Sequence, residues 1–252
     1  MSLRLPNPAS LLKNMASQCA VCHSWPARRI CAPCLARFGQ PLPALARCCS
    51  CALILPAGRF QALGSHPAQC AACLRHPPPL DACFAAVAYA YPWSDLIADY
   101  KFANDPAWAT VFASLLLQMP GVTETLTALQ ANDWLIPMPL STERLQSRGF
   151  NQAWELVKAL ASQSGTLAGS DAQLLLRIKN TAPQSQLPRE ARLQNVSGAF
   201  VASPLRVLEL KNRRVLLVDD VMTSGASLFG AAQALRDAGA VQVSAIVFAR
   251  TE

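Results

Sequence analysis

The stretch Arg213-Arg214-Val215-Leu216-Leu217-Val218-Asp219-Asp220-Val221-Met222-Thr223-Ser224-Gly225-Ala226-Ser227 limits the folds open to this chain more than any other. Val215 to Val218 form a short apolar run, β-branched at both ends, as suits a strand covered on both faces. Asp219 and Asp220 follow where that strand is expected to end, at the ligand edge of an open α/β sheet. Two adjacent carboxylates can accept hydrogen bonds from vicinal hydroxyls. Thr223 to Ser227 then supply hydroxyl and backbone N–H donors and a glycine at the start of a helix, which makes a ready anion site. Strand, acidic pair and hydroxyl-rich turn in one register suit a sugar phosphate. A receiver domain also carries a strand followed by Asp-Asp, but it needs a phosphoacceptor Asp several elements later. The only later one, Asp237, lies inside the next expected helix.

The rest of the C-terminal region supplies the partners of that strand. Strands are expected at Phe84–Tyr91, Trp134–Met138, Gln173–Ile178 and Val241–Ala249. Helices are expected over Ser94–Met119, interrupted at Asp105-Pro106, over Gln152–Ser162 with Asn151 as N-cap, and over Ala226–Ala238, ended by Gly239. Alternating strands and helices predict an α/β fold with a doubly wound, mainly parallel sheet. A polar segment from Lys179 to Gly198 reads as a lid or a surface excursion.

All ten cysteines fall between Cys19 and Cys83. Eight form C-x-x-C pairs: Cys19/Cys22, Cys31/Cys34, Cys48/Cys51 and Cys70/Cys73. A C-x-x-C turn aims two thiolates at one metal, and two turns complete a closed tetrahedral site. The last two pairs are 18 residues apart, a zinc-ribbon spacing, and the first two only 8. The spacing favours two structural Zn²⁺ ions with sequential pairing: Cys19, Cys22, Cys31 and Cys34 on one, Cys48, Cys51, Cys70 and Cys73 on the other. A cross-braced pairing is the alternative. Pro77-Pro78-Pro79 reads as a linker, which sets a Cys-rich module at residues 1–80 and a second domain at 81–252.

Charge is unevenly placed. Residues 1–85 hold eight Lys or Arg and one acid, Asp81, while the remainder holds 14 of each, so the formal charge of +7 lies in the N-terminal third. Such a face favours single-stranded DNA, with Trp25, Phe38 and Phe60 lying among Arg28, Arg29, Arg37 and Arg59. The alternative is a solvated basic surface. No apolar run reaches the roughly 20 residues of a membrane helix, and Met1 to Met15 lack the apolar core of a secretory signal. The expectation is a cytoplasmic protein with reduced cysteines and no membrane insertion.

Two further segments bear on a phosphorylated ligand. Pro137-Met138-Pro139-Leu140-Ser141 leaves a strand tip and runs through Arg144 to Arg148-Gly149-Phe150-Asn151-Gln152, where guanidinium and backbone donors can take a pyrophosphate. Arg177, Lys179, Arg189 and Arg192 in or beside the polar segment are candidates to close over a polyphosphate. The sequence assigns no general base and no oligomeric state.

The acidic pair and turn resemble the phosphoribosyl pyrophosphate (PRPP) motif of the type I phosphoribosyltransferases. In that family the pair holds the ribose 2′ and 3′ hydroxyls and the turn cradles the 5′-phosphate. The resemblance implies those roles for Asp219, Asp220 and Val221, Met222, Thr223, Ser224, Gly225, Ala226 and Ser227, with Mg²⁺ accompanying PRPP. With the cysteine array, Arg148-Gly149-Phe150-Asn151-Gln152, the Thr-x-x-Gln at Thr181–Gln184 and the Arg-x-x-Asn-Val at Arg192–Val196, the chain resembles the ComF/GntX family over nearly its whole length. Tyr100-Lys101-Phe102 resembles a family Lys-Tyr/Phe step, with Ala103-Asn104 where a glycine often follows. The family implies a phosphoribosyltransferase-like domain behind a zinc module, and a part in the handling or use of imported DNA and nucleotides alongside DNA-uptake machinery. The acceptor of any transferred ribosyl group is not implied. The competing function is a non-catalytic single-stranded DNA-binding module with PRPP as a regulatory or vestigial ligand.

Overall fold

The computed structural model describes residues 17–39, 47–56, 68–103, 105–179 and 198–252. The chain divides into two compact units, Met1–Pro43 and Ala44–Glu252. In the first, an antiparallel bridge joins Ser17 to Ala27 and α1 spans Ala32–Phe38, entered from Cys31 with Pro33 in its first turn. Among its described residues, Cys19, Ile30 and Cys34 are buried.

The second unit is built on a five-stranded sheet. The strands are β1 (Ala82–Ala88), β2 (Trp134–Pro137), β3 (Gly169–Ser170), β6 (Arg214–Met222) and β7 (Gln242–Arg250), in the order β1-β7-β6-β2-β3. Every pairing in it is parallel. Among the described residues the helices of this unit are α2 (Ala71–Arg75), α3 (Trp93–Phe102), α4 (Trp108–Leu116), α5 (Val122–Ala128), α6 (Thr142–Arg148), α7 (Gln152–Ser164) and α8 (Ala226–Asp237). The expected interruption at Asp105-Pro106 is the break between α3 and α4.

Side chains alternate across β7 and give the sheet two apolar faces, as a strand with period two must. Val243, Ala245 and Val247 join one buried cluster with Val215 and Leu217 of β6 and Leu228, Ala231 and Leu235 of α8. Phe248 points the other way. It stacks on Phe112 of α4 at 4.0 Å and meets Trp93 of α3 edge-on at 5.4 Å. Each such aromatic buries on the order of 150–250 Å². The sheet is therefore covered on both faces, as the continuous apolar run at Val215–Val218 predicts.

Three features differ from the sequence reading. β4 (Leu175–Arg177) does not join the main sheet; it pairs antiparallel with β5 (Phe200–Ala202). β6 does not end at Val218 but carries both aspartates and reaches Met222, because β7 continues to pair with it as far as Arg250. The compact units meet at 43/44 rather than near residue 80. Cys48, Cys51, Cys70, Cys73 and Leu80 share one buried cluster with Ala85, Val215 and Val243, and the Cys83 N–H donates to the Cys49 carbonyl at 2.7 Å. Burying those apolar side chains on the sheet is worth about 25 cal/mol per Å², enough to draw the second cysteine pairings out of a separate module.

Candidate functional site

β2 and β6 run side by side only to Pro137 and Val218. Beyond that point β2 leads into α6 and α7, and α7 packs on α4 over the Phe248 face. β6 leads into α8 on the opposite face. Adjacent strands that send the chain to opposite faces open a crevice at their carboxyl ends, where open α/β sheets bind ligands. Asp219 and Asp220 stand there.

The local sequence explains how the crevice is shaped. Ser141 caps α6, its Oγ accepting from the Arg144 N–H at 3.4 Å. Asn151 caps α7, its Oδ1 accepting from the Ala153 N–H at 2.9 Å, and its Nδ2 donates back to the Met138 carbonyl at 3.1 Å. That double use ties the start of α7 to the tip of β2. Gly225 precedes α8 at φ +84, and a Cβ there would lie 2.5 Å from Met222 Cε and 2.7 Å from Phe229 Cζ. Only glycine meets both the left-handed backbone and the closeness of those two side chains.

The result is a cleft of about 340 Å³. From the acidic strand end and turn it is lined by Asp219, Asp220, Val221, Met222, Thr223, Gly225 and Ser227, and from the β2 tip by Met138, Pro139 and Leu140. Arg144, Arg148, Arg177 and Lys101 bring four cations to the same walls. Ser224 is not on the lining; its Oγ accepts from the Ala226 N–H at 3.4 Å and shapes the turn. Ala226 is buried and faces an apolar groove beside Phe229 instead. Arg189 and Arg192 lie outside the described residues.

Lys101 and Tyr89 extend the site beyond the sequence reading. Lys101 closes α3, and its Nζ sits 2.9 Å from Asp220 Oδ2. The Tyr-Lys-Phe step was the signal for it. Tyr89, just past β1, joins the lining without a comparable sequence signal.

Electrostatics split the two aspartates. Burial first, and the charge of Asp220 second, push the Asp219 carboxyl up to about 8. Asp219 Oδ1 accepts from the Asp220 N–H at 2.9 Å, while Asp220 is ion-paired with Lys101. The acidic pair thus faces four cations across one cleft, an arrangement that attracts a polyanion. Burial first, with the charge of Arg144 adding to it, lowers the guanidinium pKa of both Arg148 and Arg177; Asp220 and Asp219 oppose the shift at Arg148, and Asp219 alone at Arg177.

The cysteines gather as two groups, Cys19/Cys22/Cys31/Cys34 and Cys48/Cys51/Cys70/Cys73, with ligand atoms within 4.8 Å of one another in each. Pairing is sequential, not cross-braced. A tetrahedral site with Zn–S bonds of about 2.3 Å has sulfur–sulfur edges of about 3.8 Å. Cys22 and Cys31 stand at 3.6 Å and Cys51 and Cys70 at 3.7 Å, so both groups fit a zinc ion. In the second group a hydrogen bond with the Cys51 thiol is the largest influence drawing Cys48 down to about 4.

A parallel sheet with an acidic strand end, a glycine turn and a helix start defines a phosphoribosyltransferase-type domain, and residues 143–252 match the phosphoribosyl transferase domain family. The chain is 33% identical over 188 residues to the DNA utilization protein YhgH of Salmonella typhimurium, covering 74% of this chain and 80% of that protein. It is 31% identical to competence protein F of Haemophilus influenzae, covering 72% and 78%, and 30% identical to competence protein ComFC of Streptococcus pneumoniae, covering 66% and 67%. The chain belongs to the ComF family. Among the described residues no helix is long and apolar enough to cross a membrane.

Proposed function

We propose that this protein binds PRPP with Mg²⁺ in the cleft at the carboxyl end of β6, and that it serves in the intracellular handling or use of DNA and nucleotides. The observation that carries the binding is the convergence of an acidic pair, a glycine turn opening α8 and four cations on one cleft. Asp219 and Asp220 accept hydrogen bonds from the ribose hydroxyls. Backbone N–H groups and hydroxyls of Thr223 to Ser227 take the 5′-phosphate at the start of α8. Arg144, Arg148, Arg177 and Lys101 face the pyrophosphate. Carboxylate oxygens suit a hard cation, and Mg²⁺ supplies further neutralisation of the pyrophosphate charge. If the ribosyl group is transferred, the positive charge that develops on the ribose as pyrophosphate leaves is stabilised by the same carboxylates. The two four-cysteine groups hold structural Zn²⁺.

Calorimetric titration of Mg²⁺–PRPP into the zinc-loaded full chain tests the reading. Saturable binding by the wild type and its loss in Asp220→Ala are expected. No heat at millimolar PRPP refutes it.

A second activity is supported by the names of the relatives and by the basic N-terminal third: weak, sequence-independent binding of single-stranded DNA. In the first unit Trp25 is 67% exposed and the Arg37 guanidinium lies 5.0 Å over the Phe38 ring, a stacking and charge pairing that suits single strands. Each phosphate contact adds about 0.7 to the salt slope. Fluorescence anisotropy of Arg28→Ala/Arg29→Ala/Arg37→Ala across a salt series should show a slope reduced by about 2, with PRPP affinity unchanged. An unchanged slope removes the DNA site from this unit.

A further inference from the structure

Arg250, the last residue of β7, is 7% exposed. Its guanidinium points at no carboxylate among the described residues. Its Nε donates to the carbonyl of Cys51 at 3.0 Å, and its Nη1 faces the carbonyls of Met222 at 3.4 Å and of Thr223 and Thr251. One buried side chain therefore joins a cysteine of the second four-cysteine group to the two residues that open the phosphate turn. A second strut runs beside it: the buried Cys83 thiol donates to Met222 Sδ at 3.8 Å, and Met222 Cε is the atom that a Cβ on Gly225 would strike.

Charge explains why a cation tolerates this place. A buried guanidinium bonded only to carbonyls and the Thr251 hydroxyl lacks a counter-ion, and an unpaired buried charge is expensive. Zn²⁺ with four thiolates carries a net charge of −2. A metal on Cys48, Cys51, Cys70 and Cys73 is the counter-charge that Arg250 lacks, and the Cys51 carbonyl is the link between them.

We propose that Arg250 is a positioning residue: it couples the second four-cysteine site to the phosphate turn, so that a metal held there sets the conformation of residues 222–227. Arg250 itself touches no part of the ligand. The arm concerned with binding rests on the PRPP reading above, whereas the coupling does not.

The test is hydrogen exchange by mass spectrometry on the zinc-loaded full chain, beside PRPP titration, for wild type, Arg250→Met and Arg250→Lys. Arg250→Met should raise exchange in the peptide spanning 222–227 by about tenfold or more, the loss of one charge-assisted hydrogen bond, while β1 and the middle of β7 stay protected. PRPP affinity should fall by a similar factor. Arg250→Lys keeps the charge but cannot bridge Cys51 and Thr223 together, and should lie between the two. If Arg250→Met fails to fold, the lysine variant alone carries the comparison. Raised exchange in 222–227 with no PRPP binding by the wild type upholds the coupling and removes the PRPP reading. Wild-type exchange at 222–227 in both variants overturns the coupling, whatever PRPP does.

Discussion

The two four-cysteine groups share a motif and differ in almost everything around it. The first sits in a unit whose buried residues, among those described, are Cys19, Ile30 and Cys34, and its Cys22 is exposed. All four thiols of the second are buried, inside the apolar cluster that backs the parallel sheet. Two strand residues of that sheet reach it, Cys83 through the Cys49 carbonyl and Arg250 through the Cys51 carbonyl. A repeated ligand motif thus does two jobs. Where there is little core, a bound metal would supply most of the fold; where there is a core, it would add, on the proposal above, to the support of a distant loop.

The largest effect that separates them comes from removing one ligand. Structural zinc contributes on the order of 10 kcal/mol in small modules, comparable to the whole stability of a domain, about 5–15 kcal/mol. Cys70→Ser should therefore unfold the Ala44–Glu252 unit and abolish PRPP binding. Cys31→Ser should melt only the first unit. Near-ultraviolet circular dichroism reads the difference, because Trp25 reports on the first unit and Trp93, Trp108, Trp134 and Trp154 on the second. Loss of all tryptophan signal in Cys31→Ser would break the comparison.

A smaller effect isolates the turn from the metal. Gly225→Val places a side chain at φ +84 and against Met222 and Phe229. Strain of about 1–3 kcal/mol should leave the unit folded and the zinc bound, while PRPP affinity falls about 100-fold, roughly 2.7 kcal/mol. Zinc content and calorimetry on one preparation decide it. Wild-type affinity would show that the turn does not approach a phosphate.

The smallest effect concerns stability and has a definite direction with pH. Asp219 ionises near 8 in the folded chain and near 3.9 when unfolded. The folded state keeps a proton that the unfolded chain releases, so the contribution of this group is fully present below about pH 4 and is lost as pH rises through about 8. Asp219→Asn cannot ionise. It should match the wild type in Tm near pH 4 and exceed it by a margin that grows as the pH rises to 9, while losing PRPP affinity. An equal gain at both pH values would assign it to packing instead.

Much of this was legible in the sequence because the signals are local. Each C-x-x-C pair fixes its own turn, and the short separations favoured sequential pairing. The apolar run, acidic pair and turn lie consecutively in one strand and its exit. What stayed hidden depends on neighbours. Pro77-Pro78-Pro79 reads as a linker, yet Leu80 and Cys83 just beyond it draw the second cysteine group onto the sheet. β6 runs past its apolar core only because β7 pairs with it to Arg250. β4 lies within the strand expected at Gln173–Ile178, but its partner β5 has three residues, too few for a period to show. Arg250 reads as an ordinary C-terminal arginine until folding places it among four carbonyls.

The account turns on which end of the ligand meets which end of the cleft. A crystal structure of the zinc-loaded full chain with PRPP and Mg²⁺ measures that directly. The account predicts the ribose hydroxyls on Asp219 and Asp220, the 5′-phosphate on the backbone N–H groups of residues 223–227, the pyrophosphate toward Arg144 and Arg148, and Arg250 still bridging Cys51 and Thr223. Density for the 5′-phosphate anywhere other than that turn, or an empty cleft at saturating PRPP, would contradict it.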